Sequence, residues 1–135
     1  MSRTTSQYRN GVKVSENHGA GEWKAERLSA LILVPLTIWG LWAAATLSGS
    51  GYDGATEWFR SPVNAILLAV TLVATLWHMQ MGVKVIVEDY IHKAGTLRLL
   101  LGLNTLICLL LALASVFFIV RLALGSAPLP AGLGA

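Results

Sequence analysis

Three stretches of the chain contain no Asp, Glu, Lys or Arg: residues 28–52, 61–83 and 99–120. Each is long enough to cross a hydrocarbon core of roughly 30 Å, which takes about 20 helical residues. Inside that core every backbone N–H and C=O must find a partner within the protein, so a spanning segment of this kind is a helix. Three transmembrane helices are expected, over about residues 28–48, 62–88 and 97–124. A soluble fold would have to bury all three. With 135 residues, 55% of them apolar and 13% charged, too little chain remains to cover them. The fold class is therefore an all-α membrane protein. It divides into a polar tail over 1–22, a three-helix anchor domain over 23–124 and a second tail over 125–135.

Charge fixes an expected orientation. Arg3, Arg9, Lys13, Lys24 and Arg27 precede the first span, Lys84 lies near the end of the second, and Lys93 and Arg98 flank the turn to the third. With three crossings these eight of the ten basic residues share one side, which the positive-inside rule makes cytoplasmic. Only Arg60 and Arg121 face the other side, with Asp53 and Glu57. The basic patch needs no nucleic acid to explain it. The first residues lack the short apolar stretch of a secretory signal. MSRTTSQYR has the Ser, Thr and Arg of a transit peptide, but Glu16 and Glu22 follow and no amphipathic pattern develops. An ordinary bacterial N-terminus fits better. The single Cys108 excludes an internal disulfide and a four-cysteine iron–sulfur cluster.

Punctuation between the spans is legible too. Trp23 suits an interface, Pro35 is expected to kink the first helix, and Pro62 suits the first turn of the second. The segment SGSGYDGATEWFRSP reads as a loop, with Trp58 and Phe59 as interfacial anchors. Gly95 reads as a helix C-cap, and Asn104 and Ser115 as interhelical hydrogen-bond donors.

The chemistry concentrates in WHMQMGVKVIVEDYIHK, Trp77 to Lys93. At about 100° per residue, Gly82 lies about 40° from His78, Val85 about 20° short of two turns, and Asp89 about 20° past three. His78, Gly82, Val85 and Asp89 thus share one stripe, with Asp89 about 16 Å along the axis from His78 and Tyr90 beside it. An imidazole at membrane depth is costly unless its nitrogens are occupied. A metal can take one and a hydrogen bond the other. Gly82 would let a flat macrocycle approach the backbone. Asp89 and Tyr90 meet the cytoplasmic interface, where a phenol can donate to a carbonyl and a carboxylate can orient a cation or carry protons. Each feature also has a plainer reading. His78 can bond a neighbouring helix, Gly82 can be a packing notch, and Asp89–Tyr90 can mark a helix boundary. The first and third spans hold no histidine, so a haem ligated by His78 needs its second ligand from another chain, or is five-coordinate. Met79 and Met81 are too close in sequence to reach the opposite haem face. Arg27, entering from the same side as Asp89, suits haem propionates or a carboxylate near a quinone, or simply anchors the helix.

The pattern His78-x3-Gly82-x6-Asp89-Tyr90 resembles the second-helix signature of the D-type hydrophobic anchor subunit of succinate dehydrogenase, respiratory complex II. EDYIH, Glu88 to His92, and the entry EWKAERLSALILVPLTIW are similar to its alphaproteobacterial branch. The resemblance spans about residues 21–120. It implies a helical bundle completed by a C-type anchor, which together attach an iron–sulfur subunit and a flavoprotein to the bacterial inner membrane. It also implies a haem b with His78 as one axial ligand to iron, Arg27 near the propionates, and ubiquinone hydrogen-bonded by Tyr90 with Asp89 beside it. Such a subunit serves the tricarboxylic acid cycle and aerobic electron transport without oxidising succinate on its own. The sequence departs from the branch at Glu26, where Gln is common, and at Lys84, where Gln or an apolar residue is common. Lys84 lies about 120° from the His78 stripe and is expected to snorkel away from it. A fumarate reductase anchor and a cofactor-free three-helix scaffold are the alternatives.

Overall fold

The computed structural model describes residues 8–9, 12–13 and 18–125. Two two-residue strands, β1 (Tyr8–Arg9) and β2 (Val12–Lys13), pair antiparallel. Four helices follow: α1 (His18–Leu47), α2 (Gly51–Arg60), α3 (Pro62–Tyr90) and α4 (Ala94–Ala123). α1, α3 and α4 are long and apolar enough to cross a membrane, as the charge-free runs require. The helices overrun those runs: α1 begins ten residues before the expected start at 28. Lys24, Glu26 and Arg27 bound the charge-free run. They do not end the helix, because charged residues are good helix formers in water. The expected tail over 1–22 is thus partly helix, while residues 126–135 of the expected C-terminal tail lie outside the described residues.

α3 lies in the middle. It packs against α1 on one side and α4 on the other, and α1 and α4 do not pack on each other. An open layer of three helices buries little. Among the described residues the buried side chains are Ser29, Ala43, Ala65, Cys108 and Ile119. Four of these five are small. Lipid tails are as apolar as leucine, so membrane helices associate through close backbone approach at small residues rather than through hydrophobic burial. Large apolar side chains, including Leu31, Leu41, Ile66, Leu103 and Phe117, point outward to lipid or partner protein.

The α3–α4 seam also carries polar bonds. Asn104 Nδ2 donates to the Gln80 carbonyl at 3.0 Å, and Gln80 Nε2 donates to Thr105 Oγ1 at 3.2 Å. Asn104 is an interhelical donor, as its position suggests. Ser115 is not: its hydroxyl donates to Leu111 O in its own helix. Asn104→Leu should lower resistance to unfolding in sodium dodecyl sulfate by about 1 kcal/mol, within the range of membrane interhelical bonds. Circular dichroism across a detergent titration measures it.

The segment read as a loop is the helix α2. Its glycines suggested turns, but two of them shape the helix start. Gly51 takes φ +67°, a left-handed conformation that turns the chain out of α1. A Cβ on Gly54 would lie 2.6 Å from Ser50 Cβ, so this first turn closes only around glycine. On the wheel Trp58, Ala55, Phe59 and Tyr52 share an apolar arc, while Asp53, Glu57 and Arg60 share the other. Trp58 stacks on Trp39 of α1 with centroids 6.0 Å apart, and Phe59 meets Trp58 edge-on at 5.1 Å. Asn64 Nδ2 donates to Trp58 O at 3.2 Å, fastening the α2–α3 corner, and Pro62 opens α3. Trp58 therefore anchors α2 to the bundle.

At the other end α3 stops without a glycine cap. Ile91 and Lys93 are both extended, and the Ile91 N–H bonds Val87 O. Gly95 lies in the first turn of α4 rather than capping α3. A β-branched residue in an extended conformation ends the helix with no left-handed residue needed.

Candidate functional site

The α1–α3 seam is built around Ser29. In a chain with almost no interior, its side chain is 2% exposed. A helical serine usually donates back to a carbonyl of the preceding turn. Ser29 does this, with Oγ 2.8 Å from Glu26 O. The same Oγ lies 2.9 Å from His78 Nδ1 across the seam. When the hydroxyl proton goes to the Glu26 carbonyl, Oγ accepts from Nδ1–H; in the other tautomer Oγ donates to Nδ1. The Nδ1–H tautomer leaves the Nε2 lone pair uncommitted, the state in which an imidazole ligates a metal.

His78 is half-buried and borders an open groove of about 400 Å³. Its other walls come from α1: Ala30, Leu33, Val34, Thr37 and Ile38. Arg27 stands on the stripe of Val34 and Ile38, seven and eleven residues before them, so it extends the same face toward the Tyr90 end. Its guanidinium lies over the Trp23 ring, 4.3 Å from the centroid. A cation held over an aromatic face keeps its outer N–H donors free for an anion.

α3 is unbroken from Pro62 to Tyr90, so the stripe of His78, Gly82, Val85 and Asp89 is real. A Cβ added at Gly82 would meet nothing within 4 Å: its outer face is open to whatever lies beside the helix. Asp89 and Tyr90 are exposed at the end of α3, Tyr90 at 79%. Among the described residues neither side chain has a partner, and neither touches His78. The structure thus joins His78 to α1 and its groove, and leaves Asp89 and Tyr90 as an outward-facing pair about 16 Å away along the axis.

Lys84 points elsewhere, as its wheel position requires. It bonds Glu22 of α1 and lies 3.9 Å from Glu88 one turn on. Glu22 and Ser29 are the α1 residues that sequence reasoning missed. Their partners are 62 and 49 residues away, and no periodicity within one helix shows which residue of another helix will face it.

Among the described residues no three His, Cys, Asp or Glu side chains gather into a metal site. What the described residues do offer is an imidazole bonded to Ser29 beside a groove with mostly apolar walls.

The family model for the succinate dehydrogenase/fumarate reductase transmembrane subunit matches residues 1–121. The chain belongs to this succinate dehydrogenase/fumarate reductase transmembrane subunit family. Among curated relatives, a succinate dehydrogenase hydrophobic membrane anchor subunit from Rickettsia conorii is 26% identical over 108 residues, covering 77% of this chain and 86% of the relative. The Rickettsia typhi subunit of the same description is 26% identical over 107 residues, with the same coverage. A succinate dehydrogenase membrane anchor subunit from Reclinomonas americana is 31% identical over 81 residues, 58% of this chain and 68% of the relative. No solved structure matches at a significant level. Membership of this transmembrane subunit family and three spanning helices make the chain a multi-pass membrane protein.

Proposed function

We propose that this chain is the hydrophobic anchor of a succinate:quinone oxidoreductase. In this reading it holds one face of a haem b and one side of a ubiquinone site, and helps fix the iron–sulfur and flavoprotein subunits to the membrane. The observation that carries the reading is the Ser29–His78 bond. It holds the ring through Nδ1 and leaves Nε2 with no hydrogen bond among the described residues. The surroundings fit a porphyrin. The groove beside His78 is apolar apart from Thr37, Gly82 adds no side chain, and Arg27 extends the groove's face where propionates would need a cation. Bound there, the haem would supply one-electron redox capacity.

The chain's own residues do the rest. His78 would hold the haem iron from this chain, and the C-type anchor would hold it from its own side. Reducing a quinone to a quinol takes two electrons and two protons. Tyr90 donates a hydrogen bond to a quinone carbonyl, and Asp89 orients its neighbours and can pass protons from the aqueous side. The N-terminus and the Tyr90 end face the cytoplasm, where most of the basic residues lie, and α2 and the C-terminus face the periplasm. Fumarate reductase anchors share the family description, so the physiological direction rests on the quinone pool.

The test is purification of the complex through a tag on this chain in mild detergent. We expect it to bring down a second anchor, an iron–sulfur protein and a flavoprotein with stoichiometric haem b. Recovery of all four polypeptides without haem would remove the haem assignment, and recovery of this chain alone would favour a free-standing scaffold.

A further inference from the structure

We infer that Ser29 is a positioning residue for the haem iron: its hydroxyl fixes the rotation of the His78 ring and sets the electron density that His78 delivers to the metal. The inference rests on the proposed haem ligation by His78. It concerns a residue that does not itself touch the cofactor.

The bonding pattern singles out Ser29. Thr71, Thr75 and Ser115 each donate to a carbonyl four residues back in their own helix. Ser29 donates to Glu26 O and has a ring nitrogen of another helix 2.9 Å from the same oxygen. At 2% exposure no water competes for that oxygen. The relay runs His78 Nδ1–H to Ser29 Oγ, and Ser29 Oγ–H to Glu26 C=O. This direction goes with haem ligation: iron on Nε2 requires the proton on Nδ1, and Ser29 Oγ then accepts it while donating to Glu26 O. Because Ser29 is on α1 and His78 on α3, the bond also pins ring rotation to the packing of the two helices.

Partners on the remote nitrogen of a metal-bound imidazole orient the ring and raise its basicity. A neutral hydroxyl, itself polarised by the Glu26 carbonyl, pulls on Nδ1–H less than a carboxylate would. The ligand stays a neutral imidazole with modest extra donation, which favours ferric iron slightly. Removing the acceptor should therefore raise the midpoint potential and free the ring to rotate.

The experiment uses the purified complex carrying Ser29→Ala or Ser29→Thr. It reads haem content, the redox midpoint and the low-spin ferric electron paramagnetic resonance spectrum. For Ser29→Ala we expect a higher midpoint, a shifted and broadened largest g value, and haem affinity lower by about 10–100-fold, the usual loss for such a partner. Ser29→Thr keeps a hydroxyl on the same backbone position and should restore all three. If Ser29→Ala releases its haem during purification, Ser29→Thr must still retain haem at the wild-type midpoint. A wild-type midpoint and spectrum in Ser29→Ala would overturn the role of Ser29 and leave haem ligation standing. So would a Ser29→Thr complex as perturbed as Ser29→Ala. Full haem content in a parallel His78→Ala complex would instead overturn the haem reading, and this inference with it.

Discussion

In the complex carrying His78→Ala, the b-type bands of the reduced-minus-oxidised spectrum are expected to be lost or to change character, with haem content down by more than about tenfold. Alanine offers the iron no ligand, and tenfold corresponds to only about 1.4 kcal/mol, less than an axial bond contributes. The variant should still fold. α3 runs twelve residues beyond position 78, and Ser29 keeps its bond to Glu26 O. Any haem that remains would keep only the ligand from the second anchor and should turn high-spin. His92→Ala is the matched control. His92 is exposed in the α3–α4 connection and makes no described contact, so its loss should leave the spectrum unchanged. A cofactor-free scaffold predicts that both variants look like wild type.

Tyr90→Phe is expected to lower kcat/KM for quinone by about 10–100-fold. The substitution removes one hydroxyl and keeps the ring. Tyr90 has no partner in its own chain and is 79% exposed, so the effect on folding should be slight. The lost bond would act on a carbonyl oxygen that gains charge as the quinone is reduced, and such bonds are worth more in the transition state than in the ground state. Electron delivery to a soluble dye that intercepts electrons before the quinone should be unchanged, which separates this effect from damage to the other subunits. Unimpaired quinone turnover and affinity would argue against the phenol's role. Asp89→Asn should fall between Tyr90→Phe and wild type, because the amide still hydrogen-bonds but no longer carries a proton or a charge.

The three spans were legible because a charge in lipid is expensive, so runs without charge stand out in any sequence of this kind. Their ends were not, because the cost belongs to the lipid and not to the helix. α1 continues through Lys24 and back to His18 once it is in water. α2 was hidden by Gly51 and Gly54, which read as loop residues although one turns the chain and the other makes room for Ser50. The α3 stripe could be read because His78, Gly82, Val85 and Asp89 depend only on one helix being straight enough to keep register. What that stripe faces depends on α1. The Ser29 hydroxyl carries no sequence signal beyond a small polar residue in an apolar run. Arg27, Gly82, Asp89 and Tyr90 have open sides within this chain, as residues would if their functional neighbours came from other subunits.

The most direct test is the structure of the intact complex at a resolution that places the haem. We expect His78 Nε2 bonded to the iron, Nδ1 still within hydrogen-bond reach of Ser29 Oγ, and a second ligand from the other anchor. An imidazole whose Nε2 meets lipid, or bonds a neighbouring side chain with no porphyrin beside it, would contradict the proposed site.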